Sequence, residues 1–290
     1  AGNLIVGNSS AGVLVRDSNR NAIRGNAIRA NTGLGIDLTA TSPPDGVTPN
    51  DSGDGDTGPN NRQNFPVLAT ANAGATTVGG TLNSAGSTTF RIEIFSNTSC
   101  DPSGYGEGET FLGAANTTTN ASGNATFSVT VSPALVVGRF ITATATDPNG
   151  NTSEFSACLP VNRPPNTPGS PTPANNATGV AVTTNVSWTG GDPDSGDTVT
   201  YDVYLDTSAT PSTLICNDIT STTCDPPGNL SNSTTYHWRV VATDNHGAST
   251  NGPVWGFTTV AAPPPTAPSG LTATTVSQTR IDLSWTDNSN

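Results

Sequence analysis

Between Phe90 and Phe95 the chain reads Phe-Arg-Ile-Glu-Ile-Phe, so that Phe90, Ile92 and Ile94 alternate with Arg91 and Glu93. A period of two marks a strand with one buried face and one solvated face. Six more short β-type segments flank it, at 65–68, 76–82, 110–115, 125–131, 140–146 and 153–158, each bounded by turn residues. Seven strands in about 100 residues predict a β-sandwich of immunoglobulin type over 65–160. The pattern returns over 172–260. Val199–Leu205 alternates there, and Trp238, Val240 and Ala242 fall on one side of a single strand. Two further strand patterns lie in 261–290, behind the linker "AAPPPTAPSG", with Trp285 in the place that Trp188 holds in the preceding module.

Residues 1–40 follow a different rule. A shift of 23 residues lays Asn3 on Asn26, Ile5 on Ile28, Asn8 on Asn31, Gly12 on Gly35, Val13 on Ile36 and Val15 on Leu38. Such a repeat predicts short strands stacked in parallel, with apolar side chains pointing into the coil and asparagines at the corners. Fewer than two turns of the coil are present, and about three are needed to bury a core. The expectation is therefore the end of a longer coil, and an internal piece of a longer protein. Arg16, Arg20, Arg24 and Arg29 are expected on a solvated outer face. Residues 41–64 are an Asp/Gly-rich linker and 161–171 a proline-rich one.

Three resemblances attach to these residues. The stretch from Asn21 to Leu38, "NAIRGNAIRANTGLGIDL", resembles the right-handed parallel β-helix repeats of bacterial surface proteins and polysaccharide-active enzymes. "TATATDPNGNTSEFS" (Thr142 to Ser156) looks like the last hairpin of the Ig-like modules repeated in bacterial surface proteins. "LSNSTTYHWRVVATDNHG" (Leu230 to Gly247) resembles a fibronectin type III domain with a tyrosine corner at Tyr236, and 261–290 resembles the first strands of a second one. These resemblances imply an all-β chain: β-helix rungs at 1–40, an Ig-like sandwich at 65–160, and a fibronectin type III-like domain at 172–260.

Composition narrows the function. The formal net charge is −12, and all ten basic residues are arginine. That balance excludes a nucleic-acid-binding face, which needs basic residues against phosphate. No apolar run is long enough to span a bilayer. Four cysteines without CxxC spacing favour disulfides over zinc. In the predicted sandwich the third and seventh strands both neighbour the sixth, so Cys100 and Cys158 reach the same pole and can bridge. Cys216 and Cys224 flank a short hairpin. Free thiols are the alternative for either pair. Disulfides imply an oxidising compartment, hence an extracellular or cell-surface location.

Candidate chemistry is sparse. His237 and His246 lack a nucleophile pattern nearby, and no HExxH, GxSxG or P-loop occurs. Glu107 and Glu109 stand two apart in the glycine-rich "GYGEGET", and the resemblance to Ig-like modules implies a structural loop there rather than an acid–base pair. Trp188, Trp238 and Trp285 occupy core-like positions, which weighs against a sugar-stacking surface. Trp255 and Tyr105 are open. Two loops offer oxygen ligands for calcium: Asp51, Asp54, Asp56 and Asn60 in the linker, and Asp192, Asp194 and Asp197 in "GDPDSGDTVTY". The alternatives are a plain hinge and a hydrogen-bonded turn. The function these features point to is a non-catalytic adhesive or spacer region of an exported multidomain surface protein. The alternatives are an accessory region of a secreted polysaccharide lyase or glycoside hydrolase whose active site lies on upstream rungs, and a set of carbohydrate-binding modules. Polysaccharide or other cell-surface ligands are the partners these readings imply.

Overall fold

The structure, a computed structural model, describes residues 2–41 and 45–288. Among these residues it is all-β, with one short 3-10 turn, and no helix is long and apolar enough to cross a membrane. The chain forms two compact units. The first comprises Ala1–Asn166 with Gly191–Val199 and Ala242–Thr250; the second comprises Thr167–Gly190, Thr200–Val241 and Asn251–Asn290.

The first unit opens with β1 (Leu4–Val6), β2 (Val13–Val15), β3 (Ala27–Arg29) and β4 (Ile36–Leu38). Strands β1 and β3 pair in parallel, as do β2 and β4, with Ile5 opposite Ile28 and Val13 opposite Ile36. Both pairs carry the 23-residue offset of the sequence repeat. Asparagines stack at the corners in the same offset: Asn3 N and Nδ2 donate to Asn26 Oδ1, and Asn8 N and Nδ2 donate to Asn31 Oδ1. The four arginines Arg16, Arg20, Arg24 and Arg29 are exposed. The linker ends in the 3-10 turn Pro59–Arg62, where Asn60, Asn61 and Arg62 are all left-handed. Asparagine tolerates that backbone region best among residues with a Cβ.

A sandwich follows, made of β5 (Val67–Thr70), β6 (Thr77–Asn83), β7 (Thr89–Asn97), β8 (Thr110–Thr118), β9 (Asn124–Thr130), β10 (Phe140–Thr146) and β11 (Leu159–Pro160). One sheet runs β5-β6-β9 and the other β11-β10-β7-β8. Val78, Leu82, Phe127 and Val129 of the first meet Phe90, Ile92, Ile94 and Ile141 of the second, all buried. The Cys100–Cys158 disulfide is present, with its Cα atoms 5.9 Å apart.

Two expectations need correction. Glu93 is not solvated but 1% exposed. The outer face of β7 and β10 is covered as well as the inner one, so Thr142, Thr144 and Thr146 are buried beside it. Its cover includes the repeat, whose Gly25 N donates to Glu93 Oε2 at 2.7 Å. Residues 153–158, expected as a seventh strand, form no regular ladder. They follow β10 through Ser153 N to Ala145 O and Ser156 N to Ala143 O, while the hydroxyls of the same serines accept the N–H groups of Ala145 and Ala143. Serine side chains compete here with backbone carbonyls as ladder acceptors.

The strands of the next module are β12 (Gly169–Thr172), β13 (Ala177–Val180), β14 (Val186–Thr189), β15 (Val199–Asp206), β16 (Leu214–Ile219), β17 (Thr223–Cys224), β18 (Thr235–Asp244), β19 (Ser249–Asn251) and β20 (Trp255–Thr259). They form a three-stranded sheet β12-β14-β17 and a sheet β13-β20-β18-β15-β16 with β19 beside β18. Trp238, Val240 and Ala242 are fully buried, as their spacing requires. Trp238 packs on Trp255 at 4.6 Å and Trp188 edge-on to Tyr201 at 5.4 Å. The Tyr236 hydroxyl accepts Ser231 N at 3.0 Å, closing the tyrosine corner. Cys216 and Cys224 are bridged. Strands β21 (Ser269–Ser277) and β22 (Arg280–Thr286) make a hairpin with every residue exposed. Trp285 is 58% exposed because no second sheet among the described residues covers it.

Candidate functional site

The linker loop is held by a dense set of side-chain to backbone bonds. Asn50 exchanges a pair with Phe65, donating from Nδ2 to its carbonyl and accepting its N–H. Asn64 accepts Asp51 N on Oδ1 and donates from Nδ2 to the carbonyls of Asp51 and Asn83. Asp54, itself left-handed at φ 57, accepts Asn64 N and the Ser84 hydroxyl. Three carboxylates converge beside these bonds. Asp51, Asp54 and Asp56 each offer an oxygen, all within 4.8 Å of one another. Asp56 Oδ1 is buried with no hydrogen-bond partner among the described residues, and the Arg62 guanidinium is 3.9 Å from the other oxygen. Burial pushes the Asp54 carboxyl up to about 6, against the bonds from Asn64 and Ser84, and Asp51 and Asp56 add to the rise. Burial, then Asp51, raises Asp56 also. Such a cluster suits a divalent cation, which needs several oxygens at one centre.

Asn60 stands outside this cluster. It is fully buried, its Oδ1 accepts N and Nδ2 of Asn21, and its Nδ2 donates to the carbonyls of Asn21 and Thr152.

The second aspartate loop divides in two. Asp194 accepts Arg163 N and Nε, both at 2.7 Å, and Arg163 also reaches the Pro193 carbonyl. Burial works against Asp194, yet these bonds and the guanidinium hold its carboxyl below the usual range. Asp192 and Asp197 converge instead with Asp244, their oxygens within 4.8 Å of one another. Asp192 Oδ2 and Asp197 Oδ2 are buried without hydrogen-bond partners among the described residues, and His246 Nδ1 lies 3.6 Å from the latter. Asp244, 5% exposed, is saturated by His246 N, Ala248 N and Asn162 Nδ2. Sequence reasoning missed Asp244 because it lies 47 residues beyond Asp197. Its one local signal is its place at the head of the turn "DNHG".

The four glutamates of the chain share one use, accepting backbone N–H groups, and Glu93 adds a second, its Oε1 accepting Arg91 Nε at 2.8 Å. Glu107 Oε1 accepts Asn31 N and Nδ2; Glu109 Oε2 accepts Thr98 N and Oγ1; Glu154 accepts Leu38 N on one oxygen and Thr48 N on the other; Glu93 accepts Gly25 N. Glu107 and Glu109 thus face different partners and do not form a pair. Among the tryptophans, Trp188, Trp238 and Trp255 are in the core. Tyr105 packs edge-on to Phe65 at 5.5 Å.

No family model matches the chain, and no curated protein does. Among solved structures it is similar to the fibronectin(III)-like modules of Clostridium thermocellum CbhA, at 16% identity and TM-score 0.33, over 68% of this chain and 94% of that one. It is also similar to the FN1–FN3 domains of chicken CNTN1, at 16% identity and TM-score 0.25, over 77% and 74%. Likenesses this low assign no activity to the chain.

Proposed function

We propose that this chain is a non-catalytic spacer or adhesive region of an exported multidomain surface protein, with the end of a parallel β-helix at 1–40, an Ig-like sandwich at 65–160 and fibronectin type III-like modules from 172 onward. One observation carries the non-catalytic part. Each glutamate, the residue type best suited to acid–base work, is spent accepting backbone N–H groups. A carboxylate so held serves as architecture. Two disulfides support the exported setting. In this reading Asp51, Asp54 and Asp56 bind calcium and stiffen the linker. The test is thermal unfolding of the full chain in excess EDTA and in millimolar calcium, repeated with Asp54→Ala/Asp56→Ala. Calcium raises the melting temperature of the native chain, by linkage, and leaves the double variant where EDTA leaves it. Matching curves in all conditions would reduce the loop to a hydrogen-bonded linker. Retention on insoluble polysaccharide would replace the spacer role with carbohydrate binding.

A further inference from the structure

The repeat of residues 3–38 and the sandwich of 65–160 meet through groups of two kinds, and both have the form of one more turn of the coil. Along β3, Ala27 N donates backward to Asn3 O, while Ile28 N donates forward to Gly108 O and Ile28 O accepts Gly108 N. Gly108 therefore sits where the next parallel turn would lie, paired in the opposite sense. The residue before it completes the mimicry. In the repeat, Asn8 N and Nδ2 both donate to Asn31 Oδ1. Asn31 N and Nδ2 in turn both donate to Glu107 Oε1, at 3.0 and 2.7 Å. Glu107 stands in for the asparagine of a following turn. Asn60 does the same for Asn21, whose N and Nδ2 both reach its Oδ1.

Further forward-facing N–H groups are met in kind. Arg20 N goes to Asn151 Oδ1, Ile23 N to Thr152 Oγ1, Gly25 N to Glu93 and Leu38 N to Glu154. The bore of the coil is closed as well. Val15, Ile28, Ile36 and Leu38 form one buried cluster with Phe95 and Phe155 of the sandwich. The fit is close on both sides: a Cβ on Gly35 or on Gly108 would come within 2.8 Å of the Phe155 ring.

We infer that the sandwich is the end cap of the coil, a receptor surface whose partner is the N–H edge of a parallel β-coil, supplied here by the same chain. An uncovered coil edge is a template for pairing with other chains, and this surface removes it. The motifs "GYGEGET" and "NTSEF", which offer no catalysis, supply the cap: Glu107 and Gly108 from the first, Asn151, Thr152, Glu154 and Phe155 from the second.

The inference rests on the coil reading of residues 1–40, and residue-resolved hydrogen exchange on the full chain separates the two. Ala27 and Thr32 amides bond within the coil, to Asn3 and Asn8; Gly25, Asn31 and Leu38 amides bond to the cap. In the native chain both sets should be protected alike. Glu107→Leu should speed exchange at Asn31 at least tenfold with Ala27 changed less than threefold. Glu107→Gln, which keeps the acceptor oxygen, should leave Asn31 within threefold of native. Free exchange at Gly25, Asn31 and Leu38 beside protected Ala27 and Thr32 would overturn the cap and spare the coil. Free exchange at Ala27 and Thr32 would overturn the coil reading itself. Unchanged Asn31 protection in Glu107→Leu would overturn the role of Glu107. Should Glu107→Leu fail to fold, the native chain and Glu107→Gln still decide.

Discussion

Asp37 keeps one carboxylate oxygen sealed from water with no hydrogen-bond partner among the described residues, in a side chain 2% exposed. A buried charge without full solvation or pairing is costly, and the group answers by holding its proton. Burial pushes its carboxyl from 3.8 up to about 6; Asp45 adds to the rise, and Arg16 opposes it. The folded chain then binds more protons than the unfolded chain between those values. The stability tied to this group is fully present below the unfolded pKa and is lost as pH rises through about 6. Asp37→Asn removes the charge and keeps the shape. It is expected to stabilise the chain at pH 8, by on the order of 2 kcal/mol, and to change little at pH 4. Urea unfolding at the two pH values checks this. A variant less stable than native at pH 8 would mean that the Asp37 charge is paired there. None of this was legible in the sequence. Asp37 reads as one alternating polar residue, and Glu154, whose carboxyl its charge helps to raise, lies more than a hundred positions away.

At the scale of elements, local pattern carried the strands and failed at their second faces. Alternation located β7, β10, β15 and β18, and the inward triad Trp238, Val240 and Ala242, because a period of two is written in adjacent residues. It could not show that β7 has cover on both sides, so Glu93 read as solvent-facing. The cover comes from a repeat some 70 residues upstream, and periodicity holds no information at that range. The aspartate loops were legible as ligand-rich turns. The partition that moves Asp194 onto Arg163 and brings Asp244 in was not, since each partner lies on another loop. The glycine of the cap gives an element-scale prediction. A Cβ at position 108 would lie 2.7 Å from Phe155 Cζ and 2.9 Å from Phe95 Cδ1. Both rings are buried in one cluster. Gly108→Ala is expected to cost about 1–3 kcal/mol, the usual range for overpacking, measured by urea unfolding. A neutral outcome would mean that the sandwich does not press on the coil there. The disulfides allow a second comparison. Cys100–Cys158 closes 58 residues and Cys216–Cys224 closes 8. Chain entropy makes the first worth about 4 kcal/mol and the second about 2.5 kcal/mol, so the Cys100→Ala/Cys158→Ala pair should be the more damaging of the two double variants.

For the molecule as a whole, titration is distributed unevenly between the two compact units. Every carboxyl raised to about 6 or above belongs to the first. Besides Asp37, burial lifts Glu154 from 4.5 to about 7, against its bonds from Leu38 N and Thr48 N, with Asp37 and Asp45 adding to the rise. Burial likewise lifts Asp54 to about 6. Among the described residues of the second unit the resolved shift is on half-buried Asp206, lowered by the backbone N–H groups of Ser212 and Ser208. The signs follow from proton binding. For a carboxyl raised by folding, the folded state holds the proton longer, so stability declines as pH climbs from about 4.5 to 7. The first unit should therefore unfold at a lower temperature at pH 8 than at pH 5. Calorimetry at the two pH values, with unit assignment by near-ultraviolet signal, would register this. All four tryptophans, at 188, 238, 255 and 285, lie in the second unit. The tryptophan signal should report the second unit's transition, and the remaining heat should move to lower temperature at pH 8. At pH 8 calcium should raise the pH-sensitive transition alone, because a cation held by Asp51, Asp54 and Asp56 would take the place of the proton that Asp54 has lost. At pH 5 that competition favours the proton, and the same calcium should do less. A calcium response in the tryptophan transition instead would put the metal outside the linker loop.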